Sequence, residues 1–448
     1  MIRIVGAGPA GCLLGIMLAR RGVEVHLHER RGDPRSTPAE AGRSINLALA
    51  ARGLRALAAA GVLPRIEPLC VRMRGRLIHE TGREEQFSAY GQREHEVIWS
   101  VSRAALTAAL TEAARELPAL QLHFGHHCIG YEGQGRVRLR DASGQEHELH
   151  ADRVIGADGA GSVLRHALAR LEGFSVTESR LPHDYKELLV PLQGGQPALS
   201  MDGLHIWPRG GYMLIALPNA DGTFTATLFL AREAGPGAGQ PGFDGLQTPS
   251  QVEAFFRESF PDFHALVPDL ARQFVTNPQG LLGTVYCPRW HEDERLLLIG
   301  DAAHAIVPFH GQGMNCAFED CRLLDDLLRS APDDAFARFE ALRREDCIAI
   351  AQMALENYGE MRDAVRDPRF QRQKALSLAL ERQFPGRFIP RYSMVMFHDE
   401  IPYSVALRRG RIQQQILDEL TAGANDAPPE SAASMISERL APLPAPAA

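Results

Sequence analysis

The chain has 448 residues, of which 45% are hydrophobic and 23% charged, and its formal net charge is −7. This length exceeds what one compact core holds, so we expect two or three domains of an ordinary globular protein. The acidic balance argues against a nucleic-acid partner, which needs a basic face. Seven cysteines without a CxxC pair predict neither disulfides nor a structural zinc, and they favour a reducing, cytoplasmic environment.

The ends of the chain give no sign of membrane attachment. The apolar runs are much shorter than the roughly 20 residues that cross a membrane, so we expect no membrane anchor. A glycine motif begins at Gly6, which leaves no room for a signal peptide. Residues 422–448 are rich in Ala, Pro and Ser, and this composition predicts a flexible tail.

The N-terminal segment has the order strand, glycine-rich turn, helix, strand. An apolar run over residues 2–5 leads into a GxGxxG motif at Gly6, Gly8 and Gly11, and a later alternating run ends at Glu29. Gly6 permits the tight turn, Gly8 lets the backbone approach a pyrophosphate, and Gly11 allows close helix–strand packing. Glu29 is placed to accept hydrogen bonds from a ribose. The motif predicts a dinucleotide site but does not distinguish FAD from NAD.

Two further motifs contain glycine and aspartate after an apolar run. The first ends in Asp158 and Gly159, and alone it is equally well explained as a strand that ends in a turn. The second follows residues 296–299, ends in Gly300 and Asp301, and precedes the sequence PFHGQGMN and a helical stretch. Alone, Asp301 is an ordinary helix-capping acid. In this order, the three motifs resemble those of the class A flavoprotein aromatic hydroxylase family.

The resemblance implies an FAD cofactor whose ribityl chain is bound by Asp301. It also implies that Gly313, Met314 and Asn315 bring a helix N-terminus against the pyrimidine end of the isoalloxazine ring. This placement is physically consistent, because reduced flavin carries negative charge near N1 and O2 and a helix N-terminus stabilises an anion. The chain has no second GxGxxG motif, so NADPH is expected to bind transiently as a co-substrate.

Other segments are similar to those of one branch of this family, the kynurenine 3-monooxygenases, over the chain as far as about residue 415. The similar segments are residues 42–49, 73–76, 97–103, 184–188, 204–208, 307–316, 354–358 and 387–394. The resemblance implies that Arg103 contacts FAD, as Asp301 does. The residues implied to hold the amino-acid end of the substrate are Arg76, Tyr90, Asn357 and Tyr392. The residues implied to line the aromatic side are Leu204, Met213, Ile215, Phe229, Phe309 and His310.

These residue types suit an amino-acid substrate. A guanidinium group with neutral donors such as tyrosine and asparagine binds an α-amino-acid carboxylate well. Each residue also has a simpler interpretation. Arg76 could be a solvated surface arginine, Asn357 a hydrogen-bonded core amide, and His310 a residue that packs near the flavin without a chemical role.

The predicted fold is α/β, with a Rossmann-like FAD-binding domain, an inserted mixed β-sheet substrate domain and a C-terminal helical region. Residues 204–231 alternate as strands that suit one wall of a substrate cavity. The predicted FAD-binding domain comprises residues 1–70, 100–180 and 275–330, the sheet domain 71–99 and 181–274, and the helical region 331–421.

The resemblance implies that the protein hydroxylates L-kynurenine to 3-hydroxykynurenine with NADPH and O2. In the implied reaction NADPH reduces FAD, dioxygen adds at flavin C4a, and the hydroperoxide transfers its terminal oxygen to the carbon beside the aryl amine. Phe309 and His310 are the predicted catalytic-site residues, and no catalytic base is assigned. The alternatives are a related hydroxylase for another aminoaryl or phenolic acid and a flavin reductase without oxygen insertion.

Overall fold

The computed structural model describes residues 1–35, 46–235, 240–362, 367–422 and 429–443, so residues 42–45 of one family-like segment lie outside it. The strands, in chain order, are β1 (Ile2–Val5), β2 (Val25–Glu29), β3 (Asn46–Leu49), β4 (Cys70–Met73), β5 (Gly75–Ile78), β6 (Gln86–Ala89), β7 (Ile98–Ser102), β8 (Leu120–Phe124), β9 (His127–Tyr131), β10 (Arg136–Arg140), β11 (Glu146–His150), β12 (Arg153–Gly156), β13 (Thr177–Val190), β14 (Gly203–Pro208), β15 (Met213–Pro218), β16 (Phe224–Ala231), β17 (Gln279–Tyr286), β18 (His291–Glu292) and β19 (Leu296–Leu298).

The helices include single turns of four residues. In chain order they are α1 (Pro9–Arg20), α2 (Ala51–Ala59), α3 (Leu63–Ile66), α4 (Arg103–Arg115), α5 (Val163–Glu172), α6 (Pro249–Ser259), α7 (Pro261–His264), α8 (Leu270–Thr276), α9 (Asp301–His304), α10 (Gly313–Ser330), α11 (Ala335–Arg362), α12 (Pro368–Gln383), α13 (Arg391–Phe397), α14 (Tyr403–Leu420) and α15 (Pro429–Arg439). Within the described ranges, no helix is both long and apolar enough to cross a membrane.

A six-stranded sheet carries the three sequence motifs. Its order is β18-β19-β12-β1-β2-β8, and every neighbouring pair is parallel except the edge pair of β18 and β19. The strands β1, β12 and β19 end at the GxGxxG, DG and GD motifs, and parallel neighbours bring these three ends to one edge. Helix α1 is buried over most of its length because it packs between this sheet and α10, which explains its nearly continuous apolar sequence.

The second large sheet has seven strands in the order β17-β13-β16-β15-β14-β5-β6, and it is antiparallel except where β5 meets β14. Its strands alternate between two faces. One face packs through Trp207, Leu228 and neighbouring side chains against α6, α7 and α8. The other face, with Leu204, Ile215 and Phe229, lines a cavity. The predicted α/β fold with an inserted mixed sheet and a helical C-terminal region is confirmed.

The domain boundaries stay predictions, and two strands bear on them. Strand β17, which the sequence placed in the FAD-binding domain, pairs with β13 inside the seven-stranded sheet. Strand β4, placed in the sheet domain, instead pairs with β7 in a small sheet of the order β3-β7-β4. A fourth sheet, β11-β10-β9, is an antiparallel meander beside the six-stranded sheet.

The prediction of a flexible tail over residues 422–448 was wrong where the structure describes that segment. Residues Pro429–Arg439 form α15, which packs against α14. The buried side chains Ala432 and Ile436 of α15 and Leu440, which directly follows it, recur every four residues, so they form one apolar stripe. The stripe closes a core with Ile416 and Leu420, and it is the signal that the proline-rich composition obscured.

Removing α15 is expected to destabilise the protein. A chain truncated after Gly423 should lose about 3–6 kcal/mol of unfolding free energy, because Ile436 and Leu440 each contribute about 1.5–3 kcal/mol when buried. Chemical denaturation of the purified protein measures this loss. A chain truncated after Leu443 retains α15 and is the matched control. Equal stability of the two truncated chains would show that α15 does not contribute to stability.

Candidate active site

The glycine loop after β1 has the geometry that its three glycines predict. Gly6 has a φ of 106°, and a Cβ there would lie 2.3 Å from the carbonyl oxygen of Ala157. A Cβ at Gly11 would lie 1.9 Å from the carbonyl oxygen of Gly6, so α1 approaches β1 as closely as backbones allow. A Cβ at Gly8 would meet no described atom within 4 Å, so the start of α1 faces open space. The N–H groups there are available to a phosphate.

Glu29 lies beside this loop, as predicted for an acid at the end of β2. Its carboxylate accepts the backbone N–H of Ala7 at 2.9 Å and the backbone N–H of Arg31 at 3.0 Å. The side chain is buried and does not line the main cavity. A contact between Glu29 and a ribose stays a prediction.

The DG and GD motifs are joined by a buried arginine. Asp158 accepts the backbone N–H groups of Val163 and Leu164 at 2.8 and 3.3 Å, so one of its oxygens holds the start of α5. Arg165 donates to the carbonyl oxygens of Ala160 and Ala302, at 2.6 and 3.0 Å. The sequence analysis missed this role of Arg165. Its signal was a single arginine three residues into the helix that follows a DG motif.

Asp301 is exposed and lines the cavity. It is the first residue of α9, and the N-cap residue Gly300 has a φ of 56°. The backbone N–H of Gly300 donates to Asp320 at 3.1 Å, so a buried carboxylate fixes the turn that presents Asp301. The side chain of Asp301 therefore reaches the cavity from a turn that the hydrogen bond between Gly300 and Asp320 stabilises.

The start of α10 borders the cavity through Gly313 and Met314. Asn315 lies one residue further and points away from the cavity. It accepts the backbone N–H of Ala50 at 2.9 Å and donates to the carbonyl oxygens of Ala48 and Gly311 at 2.7 and 2.8 Å. Asn315 thus positions the loop before α10 against β3, and a direct contact with the cofactor stays a prediction.

A buried network of charges lies under the GD turn. Asp320 accepts from His304 Nε2 at 2.7 Å and from Arg343 Nε at 2.8 Å. Burial alone would lower the pKa of His304, but the adjoining carboxylate of Asp320 outweighs burial and raises that pKa to about 9. Glu319 pairs with Arg343 at 2.7 Å and with Arg52 at 2.6 Å, which carries the network to α2. Sequence reasoning missed this network because its members come from four separate segments.

Arg76 and two tyrosines form one end of the cavity. The guanidinium carbon of Arg76 lies 5.0 Å from the ring centre of Tyr392 and 5.8 Å from that of Tyr90, and the two rings stack at 5.9 Å. Among the described residues, Arg76 Nε is buried without a hydrogen-bond partner. Lys374 lies nearby, and burial together with the charge of Arg76 lowers its pKa to about 8. Arg76 is therefore a cavity residue and not a solvated surface arginine.

Aromatic side chains form another part of the cavity wall. The ring of Phe309 stacks on that of Tyr358, with the two ring centres 4.0 Å apart. The ring centres of Phe309 and Phe229 are 4.9 Å apart. His310 stacks on Tyr392 at 5.3 Å, and burial lowers its pKa to about 3, so the ring is neutral at physiological pH. Asn357 donates to the carbonyl oxygen of Phe309 at 2.6 Å and does not line the cavity.

The cavity brings most of the predicted site residues together. The predicted residues that line it are Gly8, Arg76, Tyr90, Arg103, Leu204, Ile215, Phe229, Asp301, Phe309, His310, Gly313, Met314 and Tyr392. The predicted residues that lie behind it are Gly6, Gly11, Glu29, Asp158, Met213, Asn315 and Asn357. The lining residues that the sequence analysis did not assign include Tyr185, Thr227, Ile306, Met361 and Met396. The position of Thr227 in the cavity could have been predicted from the sequence, since Thr227 shares a strand face with Phe229.

The residues present fit an FAD molecule. Open space at Gly8 adjoins the start of α1, where the pyrophosphate of a dinucleotide binds. Asp301 and the start of α10 lie at the cavity, where the flavin half would extend from α1. Gly8, Asp301 and Gly313 line the same cavity as Arg76 and Phe309, so cofactor and substrate would share one cavity.

Comparisons with known proteins agree with this geometry. The FAD binding domain family matches residues 1–184 and 281–344. A solved 2-methyl-3-hydroxypyridine-5-carboxylic acid oxygenase has a TM-score of 0.66 at 21% identity, over 81% of this chain and 92% of that one. Pseudomonas aeruginosa PqsL, solved in complex with 2-aminobenzoylacetate, has a TM-score of 0.64 at 19% identity, over 81% and 96%. The matched family defines a protein with an FAD-binding domain, and these two solved proteins share its fold.

Relatives of known name are much more similar. Kynurenine 3-monooxygenase from Xanthomonas euvesicatoria pv. vesicatoria (strain 85-10) is 50% identical over 430 residues, 95% of this chain and 93% of the relative. The enzyme of the same name from Xanthomonas campestris pv. campestris (strain 8004) is 48% identical over the same shares. The chain belongs to the kynurenine 3-monooxygenase family, and the predicted resemblance is confirmed.

The charge on His304 predicts a specific pH dependence of stability. Its folded pKa of about 9 lies above the ordinary value of about 6.5, so its contribution is fully present below pH 6.5 and is lost as the pH rises through 9. Between these limits the unfolding free energy should fall by about 3 kcal/mol more than in His304→Gln. Denaturation series at pH 6, 7.5 and 9.5 measure the difference. Parallel profiles of the two proteins would show that His304 is neutral in the fold.

Proposed function

We propose that the protein hydroxylates L-kynurenine to 3-hydroxykynurenine, with FAD as its cofactor and NADPH and O2 as co-substrates. The observation that carries this proposal is a buried guanidinium that lines the same cavity as apolar and aromatic side chains, next to the flavin motifs. L-Kynurenine has matching groups, an α-amino acid and an aminoaryl ring. The names of the Xanthomonas relatives support the same substrate.

Arg76, Tyr90 and Tyr392 would hold the amino-acid end. Arg76 is cationic, and its buried Nε lacks a partner among the described residues. A carboxylate supplies the acceptors that a guanidinium fork needs, and the pair is strongest where water is excluded. Asn357 would act indirectly, because its amide fixes the carbonyl oxygen of Phe309.

The aromatic wall would hold the ring of the substrate. Leu204, Ile215 and Phe229 present apolar surface from the seven-stranded sheet, and Phe309 faces them from the loop before α10. Met213 is buried behind these residues and supports them. This surface excludes water and orients the ring, while neutral His310 is placed to share a hydrogen bond through its unpaired Nδ1.

The flavin motifs would hold the cofactor. We assign the pyrophosphate to the start of α1 at Gly8, the ribose to Glu29, and the ribityl chain to Asp301, with Arg103 as a further contact. Bound FAD supplies electron transfer from NADPH and the activation of O2. The protein supplies position, electrostatic stabilisation by the N-terminus of α10, and exclusion of water.

The reaction is tested by incubating purified protein with L-kynurenine, NADPH and oxygen-18 gas. We expect 3-hydroxykynurenine that carries one oxygen-18 atom, with NADPH consumption matching product. Anthranilate and 4-hydroxybenzoate in parallel reactions test the related aminoaryl and phenolic substrates. Turnover of one of these in place of kynurenine would overturn the substrate assignment. NADPH oxidation without labelled product would overturn oxygen insertion and favour a reductase.

Replacing Arg76 should weaken substrate binding without loss of flavin. A charge-assisted pair contributes about 1.5–3 kcal/mol, so Arg76→Ala is expected to raise the kynurenine Kd roughly ten- to a hundredfold. Titration against the flavin absorbance measures the change. Arg74→Ala, two residues away, is the matched control, because Arg74 is largely exposed and pairs with Asp202. An unchanged Kd in Arg76→Ala would remove Arg76 from the substrate site.

We further propose a cytoplasmic location. All seven cysteines are free thiols in the structure, which is the state that a reducing compartment maintains. Cys316 and Cys347 lie with their sulfur atoms 3.6 Å apart and remain unjoined. Fractionation of the native host with antibodies to the protein tests the location.

A further inference from the structure

Two histidines and a glutamate converge on the face of the seven-stranded sheet that is turned away from the cavity. His79 follows β5, His205 lies in β14, and Glu85 lies just before β6. His79 Nε2 is 2.8 Å from His205 Nδ1 and 3.4 Å from Glu85 Oε2, and His205 Nδ1 is 3.9 Å from the same carboxylate oxygen. Leu204 lines the cavity, so the alternation of β14 places His205 on the opposite face.

The surroundings fix which nitrogen of each ring points into the cluster. His205 Nε2 lies 2.8 Å from the carbonyl oxygen of Ser200, so it carries the proton and leaves a lone pair on Nδ1. His79 Nδ1 faces Asp262 Oδ2 at 3.6 Å, so a cation on Nε2 would move the ring proton to Nδ1, beside that carboxylate. His79 also stacks on Trp207 at 4.2 Å, which holds the ring in place. A carboxylate or carbonyl group behind a histidine is the usual support of a metal ligand.

In the structure the two rings form a hydrogen bond of 2.8 Å, in which His79 Nε2 can donate to the lone pair on His205 Nδ1. A cation that entered the cluster would replace this hydrogen bond and accept a lone pair from each ring. Glu85 Oε2 lies 3.4 and 3.9 Å from the same two nitrogens and would supply a negatively charged third ligand.

We propose that His79, His205 and Glu85 bind one divalent transition-metal ion of the zinc class, with a further position open to water. Two imidazoles and a carboxylate suit Zn²⁺ better than Mg²⁺ or Ca²⁺, which prefer oxygen ligands alone. Tetrahedral bonds of about 2.0–2.1 Å place ligand atoms about 3.4 Å apart, and the three observed separations fall on both sides of that value. Glu85 and Asp262 provide negative charge, partly offset by Arg209.

Two other clusters of possible ligands are already contacted by an arginine. His304, Cys316, Asp320 and Cys347 lie together, but Arg343 donates to Asp320 at 2.8 Å. His28, His123 and His126 also lie together, but Arg3 is 3.1 Å from His28 Nε2, which favours a proton on the nitrogen that faces His126. These arginines disfavour a second cation in either place.

The ion would cross-link strands at one edge of the seven-stranded sheet. Strands β5 and β6 form that edge, and β5 pairs with β14 through Arg76 and Leu204. A metal bridge from His79 and Glu85 to His205 ties the same strands from the opposite face. The ion touches no cavity residue, so its role is positional and not catalytic.

The test uses untagged, FAD-loaded protein that has been treated with a chelator. Calorimetric titration with Zn²⁺ should show one ion bound per chain. Co²⁺ bound in its place should give the visible absorption of a tetrahedral, four-coordinate site. Glu85→Gln and His79→Gln should lower the affinity about a hundredfold or more, and Asp262→Asn about ten- to a hundredfold. Glu85 has a 41% exposed side chain, so Glu85→Gln should fold normally. Zn²⁺ should raise the Tm of the unmodified protein and not that of Glu85→Gln.

His123→Asn and Cys347→Ser are the matched controls, and both should bind Zn²⁺ like the unmodified protein. The proposal is overturned if the unmodified protein binds no Zn²⁺, or if Glu85→Gln and His79→Gln bind it with unchanged affinity. Loss of binding in His123→Asn or Cys347→Ser would assign the ion to another cluster and would equally overturn it. None of these measurements depends on turnover, so they are independent of the proposed hydroxylation.

Discussion

The buried carboxylate of Asp320 is the contact on which the flavin end of the molecule depends. It accepts the N–H of Gly300 in the left-handed turn after β19, and it binds both His304 and Arg343. Burial would raise the pKa of Asp320, but His304 and Arg343 outweigh burial and lower it to about 2. Removing one partner from such a group typically costs about 3–5 kcal/mol, because a charge is left buried and unpaired.

This contact extends to parts of the chain that are distant in sequence. Arg343 lies in α11 and binds Glu319 of α10, which in turn binds Arg52 of α2. Arg52 donates to the carbonyl oxygen of Asp399 at 3.2 Å, and its guanidinium lies 4.0 Å from the ring centre of Tyr403. The GD turn, α10 and the start of α14 are therefore held by one set of charges. This explains why the C-terminal helices are part of the site and not an appended domain.

The sequence was sufficient for features that depend on neighbouring residues. The GxGxxG turn, the strand ends at the DG and GD motifs and the alternation in β16 all follow from local spacing. Features that depend on distant partners were not readable. Asn357 has the residue type of a substrate ligand, yet its partner is a backbone carbonyl at Phe309, and only the fold brings them together. His79, Glu85 and His205 lack the short spacing of a metal-binding motif. The search for a zinc site by cysteine spacing therefore gave no indication of them.

The substrate end of the cavity is electrostatically incomplete without a ligand. Arg76 comes from the sheet edge and Tyr392 from α13, and within the described ranges Arg76 has no ion pair with a carboxylate. Aromatic faces offset only part of the cost of removing a guanidinium from water, about 0.5–2 kcal/mol for each contact. An anionic group in the cavity would supply the missing partner and would bridge the sheet to α13. In the proposed substrate complex this contact would select the carboxylate of an α-amino acid.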